Sequence, residues 1–258
     1  MLAQTAADAG IDTGSLLLDR AARTTLAFVK TAANGDRSFS FYRDPGADML
    51  LRQDELPEER LRRARIFHFG TLSMTHEGVR EATKRAVALA KEGGALISFD
   101  PNLRPPLWSD LAEARAQIEW GLSQCDVLKI ADNELEFMTG LTDLEEGARR
   151  LKAAYPHIGV LNVTAGAGGS YCLCGDKLVF VPAFCLGGTI ETTGAGDTFC
   201  ACVLDRVLDH GVRDLKEEQM RSMLRFANAA AYLVTTKKGA LRSMPEVGEI
   251  RAILEQHG

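Results

Sequence analysis

Long hydrophobic runs are missing from this chain, and so is a basic leader. No apolar stretch among its 258 residues reaches membrane-spanning length. The opening Met1-Leu-Ala-Gln-Thr-Ala-Ala-Asp-Ala-Gly10 has no basic region and no apolar segment behind it, so no signal peptide is expected. A cytoplasmic protein without membrane contact is expected. The six cysteines include no C-x-x-C pair and no histidine at zinc spacing. Disulfide frameworks and structural zinc therefore give way to buried, reduced thiols. Basic residues do not cluster. Arg60–Arg65 is mixed with carboxylates, Lys237-Lys238 is short, and the net charge is −5, which leaves no nucleic-acid footprint. Repeats, low-complexity tracts and linkers are absent as well. What is present is ordinary globular composition, 46% hydrophobic and 25% charged, enough to bury a core without metals or disulfides.

Residues 2–9 predict the tail of an Ala-rich helix closed by Gly10. Two runs rich in β-branched and aromatic residues, 24–31 and 37–43, flank Asn34-Gly35, a strong hairpin signal. Both faces of that hairpin carry apolar groups, so it needs a partner surface. From residue 64 onward, short apolar runs (64–69, 95–100, 126–130, 158–164) alternate with helical patterns near 76–92, 110–123, 133–139 and 143–155. That alternation predicts a mostly parallel sheet covered on both faces. A hairpin over 170–182 turns at Gly175-Asp176, and helices at about 197–210, 215–235 and 246–256 close the chain. The expectation is one α/β domain over 1–258, with a partial β lid at about 23–43. In such sheets ligands bind beyond the carboxyl ends of the strands, which singles out 70–71, 100–104, 131–134 and 164–169.

The sharpest segment is Glu191-Thr-Thr-Gly-Ala-Gly-Asp-Thr-Phe199. Three small residues, Gly194, Ala195 and Gly196, lead straight into an apolar-periodic helix. There, backbone N–H groups and the helix dipole can converge on a phosphate, with Asp197 beside them in the first turn. An Asp serving only as a helix cap is the alternative. No Gly-Lys-Ser/Thr follows, so this is not a Walker loop. Gly166-x-Gly168 lacks the third glycine of a dinucleotide fingerprint, since Tyr171 stands there.

These residues resemble the C-terminal D-T-x-G-A-G-D signature of PfkB-type, ribokinase-like carbohydrate kinases. Phe99-Asp-Pro-Asn-Leu-Arg-Pro-Pro-Leu-Trp108 and Phe41-Tyr-Arg-Asp-Pro-Gly-Ala-Asp-Met-Leu-Leu51 are similar to stretches of the fructokinase branch. Thr164-Ala-Gly-Ala-Gly-Gly169 is similar to the family's nucleotide loop, and Phe226–Asn228 through Thr236–Gly239 to its C-terminal ATP and cation region. The resemblance runs from about residue 2 to the end, in family order. It implies a three-layer sandwich around a mostly parallel sheet with a small β lid. It also implies ATP-dependent phosphorylation of a sugar, with fructose first and 2-keto-3-deoxygluconate, ribose or a nucleoside as alternatives.

By the same resemblance, Gly194, Ala195 and Gly196 form the anion hole and Asp197 is the base. Glu134 positions Mg²⁺ through water, although Ala131 stands where the family's N-x-x-E has its Asn; Asn133 and Glu136 fit that motif literally but out of register. Thr164, Gly166, Gly169 and Asn228 line the nucleotide pocket. Thr193, Val234, Lys237 and Gly239 supply carbonyls to a monovalent cation. Glu191 replaces the signature's first Asp, which keeps the charge but moves it and leaves K⁺ open. Arg43, Asn102 and Arg104 approach the sugar. Two bland readings stand beside the last set: Arg43 as a sheet-edge charge, Arg104 as a loop ion-pair partner. Lids of this family often pair, so a homodimer is expected. The family's first strand, its sugar-gripping carboxylate and a Gly-Gly-x-x-x-Asn segment have no counterpart here. The expectation is a chain whose native form extends upstream of Met1, or a short nucleotide-binding protein with little kinase activity.

Overall fold

The computed structural model describes residues 1–31 and 37–257. The chain divides into two compact units: Met1–Ile97 with Pro101–Gln124, and Ser98–Asp100 with Cys125–Gly258.

Unit 1 opens with α1 (Leu2–Asp8), followed by Gly10 at φ +78°. β1 (Leu26–Thr31) and β2 (Arg37–Tyr42) pair antiparallel, with Leu26 opposite Tyr42 and Thr31 opposite Arg37. The hairpin expected at 24–43 is therefore present, while its Asn34-Gly35 turn lies outside the described residues. Leu26, Phe28 and Tyr42 are at least half exposed on it. A short helix, α2 (Glu58–Arg62), carries Arg60 and Arg62, and Arg62 pairs with Glu58 at 2.8 Å; Arg63 and Arg65 lie beyond its end, so only part of the Arg60–Arg65 cluster is helical. β3 (Ile66–Gly70) leads to α3 (Glu77–Glu92). That helix buries Val79, Ala82, Thr83, Ala86, Val87, Leu89 and Ala90, the spacing of one apolar helical face. α4 (Leu111–Gln124) closes the unit and is fastened by the Arg80–Glu113 ion pair.

β4 (Leu96–Asp100) belongs to both units. Unit 2 then holds β5 (Val127–Ala131), α5 (Asp132–Thr139), α6 (Leu144–Ala154), β6 (Val160–Thr164), β7 (Ser170–Cys174) and β8 (Lys177–Val181). Three helices follow: α7 (Ala195–His210), α8 (Glu217–Thr235) and α9 (Val247–Gln256). The six-stranded sheet runs β3-β4-β5-β6-β7-β8. β4, β5 and β6 are parallel; β7 and β8 are antiparallel to their neighbours and turn at Gly175-Asp176, as expected. β5 and β6 are buried along almost their whole length, which explains their near-continuous apolar sequence. α5 ends on Gly140, left-handed at φ +72°, and Asp143 caps α6 through the Glu146 N–H at 2.8 Å. In α8, Ala229 and Ala230 are fully buried with Ile250 of α9, and their small size admits the close helix approach.

The thiol expectation needs one correction. All six cysteines are free, and Cys125, Cys172, Cys174 and Cys200 are buried, but Cys185 is exposed and Cys202 only partly covered. Cys185 sits in the irregular segment after β8, where no regular element shields it. Among the described residues, no helix is long and apolar enough to cross a membrane.

Candidate active site

The turn at Gly194–Asp197 opens α7. Gly194 is its N-cap, left-handed at φ +82°, a conformation that only glycine adopts without strain. The Thr198 N–H donates to the Gly194 carbonyl at 2.8 Å, and the Ala195 N–H to the Thr192 carbonyl at 3.2 Å. The intervening amides of Gly196 and Asp197 lie in the first helical turn, ahead of any acceptor the helix can offer them. Gly194 and Thr198 are buried, whereas the Asp197 side chain is exposed. The turn thus presents amides and a carboxylate outward from a buried base, which fits an anionic group at its mouth.

The loop after α8 is brought against this turn. A Cβ at Gly194 would stand 3.5 Å from Ala240 Cα and 3.8 Å from Val234 Cγ2. The Ile190 and Glu191 N–H groups both donate to the Thr235 carbonyl, at 2.8 and 3.2 Å. Glu191 Oε1 accepts the Gly239 N–H at 2.5 Å. The Gly239 carbonyl accepts Ser243 Oγ at 2.7 Å, and the Val234 carbonyl accepts the Lys237 N–H at 3.4 Å. Glu191, Val234, Lys237 and Gly239 are therefore assembled around one loop. Its carbonyls keep a second lone pair each, so the residues fit a carbonyl-held monovalent cation.

Beneath the turn lies a cluster that the sequence did not announce. Lys129, in the middle of β5, is buried. Its Nζ stands 3.1 Å from Asp100 Oδ2 and 3.2 Å from Asp100 Oδ1. The parallel register Ser98–Val127 and Phe99–Leu128 carries Asp100 opposite Lys129. Burial opposes the ammonium, but the Asp100 and Glu134 carboxylates outweigh it and hold the Lys129 pKa above its ordinary value. Burial pushes the neighbouring Cys200 thiol up to about 12. The only hint in the sequence was a lysine inside the apolar run Val127-Leu-Lys-Ile-Ala131.

Glu134 is buried at the start of α5, and its Oε2 accepts the Ala131 N–H at 2.9 Å; Glu136 is exposed. The in-register carboxylate is thus the inward one. Among the described residues, no three His, Cys, Asp or Glu side chains are grouped to hold a metal. The donors fit a magnesium ion that keeps its waters and arrives on phosphate oxygens.

In the strand-to-hairpin loop, the Ala165 N–H donates to the Gly169 carbonyl at 2.9 Å. Gly166 has φ +51° and open space where a Cβ would be. Gly169, at φ +115°, has Val181 O 2.4 Å and Pro182 Cα 2.8 Å from that position, so no side chain fits there. Thr164 pairs with Ser170 across β6 and β7. Asn228 is buried, and its amide is spent on the protein. It accepts Ser170 Oγ at 2.9 Å and donates to the Val181 and Pro182 carbonyls at 3.1 Å each.

The three residues expected at the sugar lie in unit 1. Arg43 is consumed by local bonds: Nε and Nη2 to Asp48 Oδ2 at 2.8 and 2.6 Å, Nη1 to Thr75 Oγ1 at 2.7 Å, and Nη2 to the Leu72 carbonyl at 2.9 Å. Thr25 Oγ1 also donates to Asp48. Asn102 holds φ +44° in the loop after β4, and Arg104 Nη1 donates to the Leu103 carbonyl at 3.2 Å.

The family model described as pfkB family carbohydrate kinase matches residues 1–247. Fructokinase-1 of Zea mays is 42% identical over 256 residues, covering 99% of this chain and 79% of that protein. Probable fructokinase-2 of Arabidopsis thaliana is 41% identical, covering 95% of this chain and 74% of that protein. Among solved structures, the fructokinase of Xylella fastidiosa with bound ATP superposes with TM-score 0.87 at 32% identity, over 100% of this chain and 81% of that one. The fructokinase of Vibrio cholerae O395 with fructose, ADP and calcium gives 0.85 at 30% identity, over 97% and 80%. The chain belongs to the PfkB family of carbohydrate kinases.

Proposed function

We propose that this kinase transfers the γ-phosphoryl group of ATP to the 6-hydroxyl of fructose, releasing ADP. The observation that carries the reading is the turn at Gly194–Asp197: a left-handed glycine, first-turn amides and an exposed carboxylate at one helix start. Fructose is favoured over other sugars by relatives named fructokinase at about 40% identity across nearly the whole chain.

In this mechanism Asp197 orients the sugar hydroxyl and takes its proton. The hydroxyl oxygen bonds to the γ-phosphorus while the bond from that phosphorus to the β–γ bridging oxygen breaks, and its electron pair leaves on ADP. Phosphoryl transfer needs little covalent help, so the protein acts through position and charge. Within the Gly194–Gly196 anion hole, the Gly196 amide, which no helix carbonyl engages, donates to the oxygens on which charge gathers, while the Ala195 amide is held by the Thr192 carbonyl. Magnesium, when bound, neutralises phosphate charge, with Glu134 as the carboxylate that orders its water. Thr164, Gly166 and Gly169 border the nucleotide with backbone, and Asn228 acts by fixing the 181–182 backbone beside them. Arg43, Asn102 and Arg104 are assigned to the sugar side by resemblance alone. The carbonyls of Thr193, Val234, Lys237 and Gly239 would hold K⁺, with Glu191 as the nearby carboxylate. The exposed Leu26, Phe28 and Tyr42 support the β1–β2 lid as the contact of a homodimer, which light scattering checks directly: a monomer contradicts it.

A coupled ADP-release assay with Mg²⁺-ATP tests the reaction, using fructose, ribose, 2-keto-3-deoxygluconate and a nucleoside as acceptors, with and without K⁺. The highest kcat/KM is expected with fructose. ATP binding without release on any acceptor would leave a nucleotide-binding protein instead.

A further inference from the structure

The mechanism above makes no use of Lys129, and packing does not explain it. Lysines almost never sit fully buried unless paired, and a buried ion pair is seldom better for stability than well-packed neutral groups. Yet Lys129 is 6% exposed in the middle of a core strand. Its position is informative. A Cβ built on Gly196 would lie 3.3 Å from Lys129 Nζ, so the ammonium packs directly against the backbone of the turn. The surrounding charges are mostly negative. Asp100 and Glu134 are buried and act on Lys129, and the Asp100 and Asp197 charges both reach Cys200 one helical turn further along α7. A phosphate brought to this turn meets three carboxylates. Lys129 is paired with Asp100, acted on by Glu134, and packed against Gly196, the residue before Asp197.

We propose that Lys129 is a positioning residue for phosphoryl transfer. Its ammonium, clamped by Asp100, stands behind Gly196 and offsets the negative charge of the turn as the transferring group gathers charge on its oxygens. A fixed charge in a dry site costs no reorganisation at the moment of reaction, so its effect falls on the transition state rather than on nucleotide binding. The glycine at 196 follows from the same arrangement, because a larger residue would push the ammonium away. This inference rests on the reading of Gly194–Gly196 as the anion hole.

The test uses the full chain with Lys129→Met and with the neutral pair Lys129→Met/Asp100→Asn, which leaves no orphaned carboxylate and keeps the volume. Both variants are expected to lose kcat on the order of 10²-fold, with KM for ATP changed by less than about threefold. Affinity for ADP–aluminium fluoride, measured in the presence of fructose, is expected to fall by the same factor, while affinity for ADP alone holds. The neutral pair should melt close to the wild type, which separates charge from folding. Recovery of wild-type kcat in the neutral pair overturns the proposal, as does a kcat loss without a matching loss of ADP–aluminium fluoride affinity. Lys129 would then only join β4 to β5. Asp197→Asn serves as the control. If it turns over normally, the anion-hole reading itself falls; if it is inactive while the neutral pair is active, only the Lys129 inference falls.

Discussion

Two aspartate–cation pairs in this chain look alike on paper and sit in opposite environments. Arg43–Asp48, at the base of the β1–β2 hairpin, spreads three further bonds over Thr25, Leu72 and Thr75 and leaves Asp48 47% exposed. Lys129–Asp100 is 7% and 5% exposed and has no such fan of partners on its lysine. The first pair ties chain segments together and can be replaced piecemeal. The second holds a charge that solvent barely reaches, so its removal is felt as a whole. The Arg43–Asp48 pair shares its bonds among several chain segments, whereas the buried Lys129–Asp100 pair holds one charge against the backbone of Gly196.

The comparison breaks most sharply at Asp100. Asp100→Ala leaves the Lys129 ammonium buried without its closest carboxylate and should cost about 3–5 kcal/mol of stability, read from the denaturant midpoint. A cost near that of a surface ion pair would erase the distinction between the two sites. Next comes Gly169→Ala, which places a Cβ against the Val181 carbonyl in a left-handed backbone; a loss of about 2–3 kcal/mol is expected by the same measurement. Asp48→Asn should cost only about 1 kcal/mol, because Asp48 is half exposed and Asn keeps part of the bonding.

The two pairs also respond at opposite ends of the pH scale. At Asp48 burial raises the carboxyl pKa, but bonds from Thr25 and Arg43 outweigh it and hold the net value below the ordinary 3.8. Its contribution is therefore present above the unfolded value and lost as pH falls through the folded one. Lys129 has the reverse sign: its raised pKa makes its contribution complete at neutral pH and lost only as pH climbs through a value above 10.5. Asp48→Asn should accordingly flatten the acid side of the stability curve and leave the alkaline side unchanged. The smallest effect is chemical. Burial pushes Cys200 up to about 12 and Cys202 up to about 11, and Cys185 alone among the cysteines is exposed. A thiol reagent at neutral pH should modify Cys185 first, as peptide mass mapping would show.

Much of the fold could be read from the residues because its signals are local. The apolar runs at 95–100, 126–130 and 158–164 became β4, β5 and β6 within two residues of their ends. Gly175-Asp176 turned β7 into β8, and Gly194-Ala-Gly196 opened α7. What escaped depends on register or long-range contact. Lys129 and Asp100 are 29 residues apart and meet only because β4 and β5 pair in parallel at Ser98–Val127. Asn228 reaches Ser170 across 58 residues, and nothing in Phe226-Ala-Asn228 shows that its amide will be consumed by a hairpin. Arg43 was legible as important, but not as the hub of a loop network. Cys185 was misjudged because thiol burial is a statistical habit, and a residue between elements is free to break it.

In the proposed mechanism Asp197 takes the proton from the sugar while the rest of the turn holds the phosphoryl group. Asp197 is exposed at the helix start, so Asp197→Asn changes its charge without disturbing the packing beneath. Steady-state kinetics with fructose and Mg²⁺-ATP, paired with calorimetric ATP binding, is the most direct measurement. A kcat loss on the order of 10³-fold or more, with ATP affinity retained, is the predicted result. Turnover at the wild-type rate would contradict the mechanism.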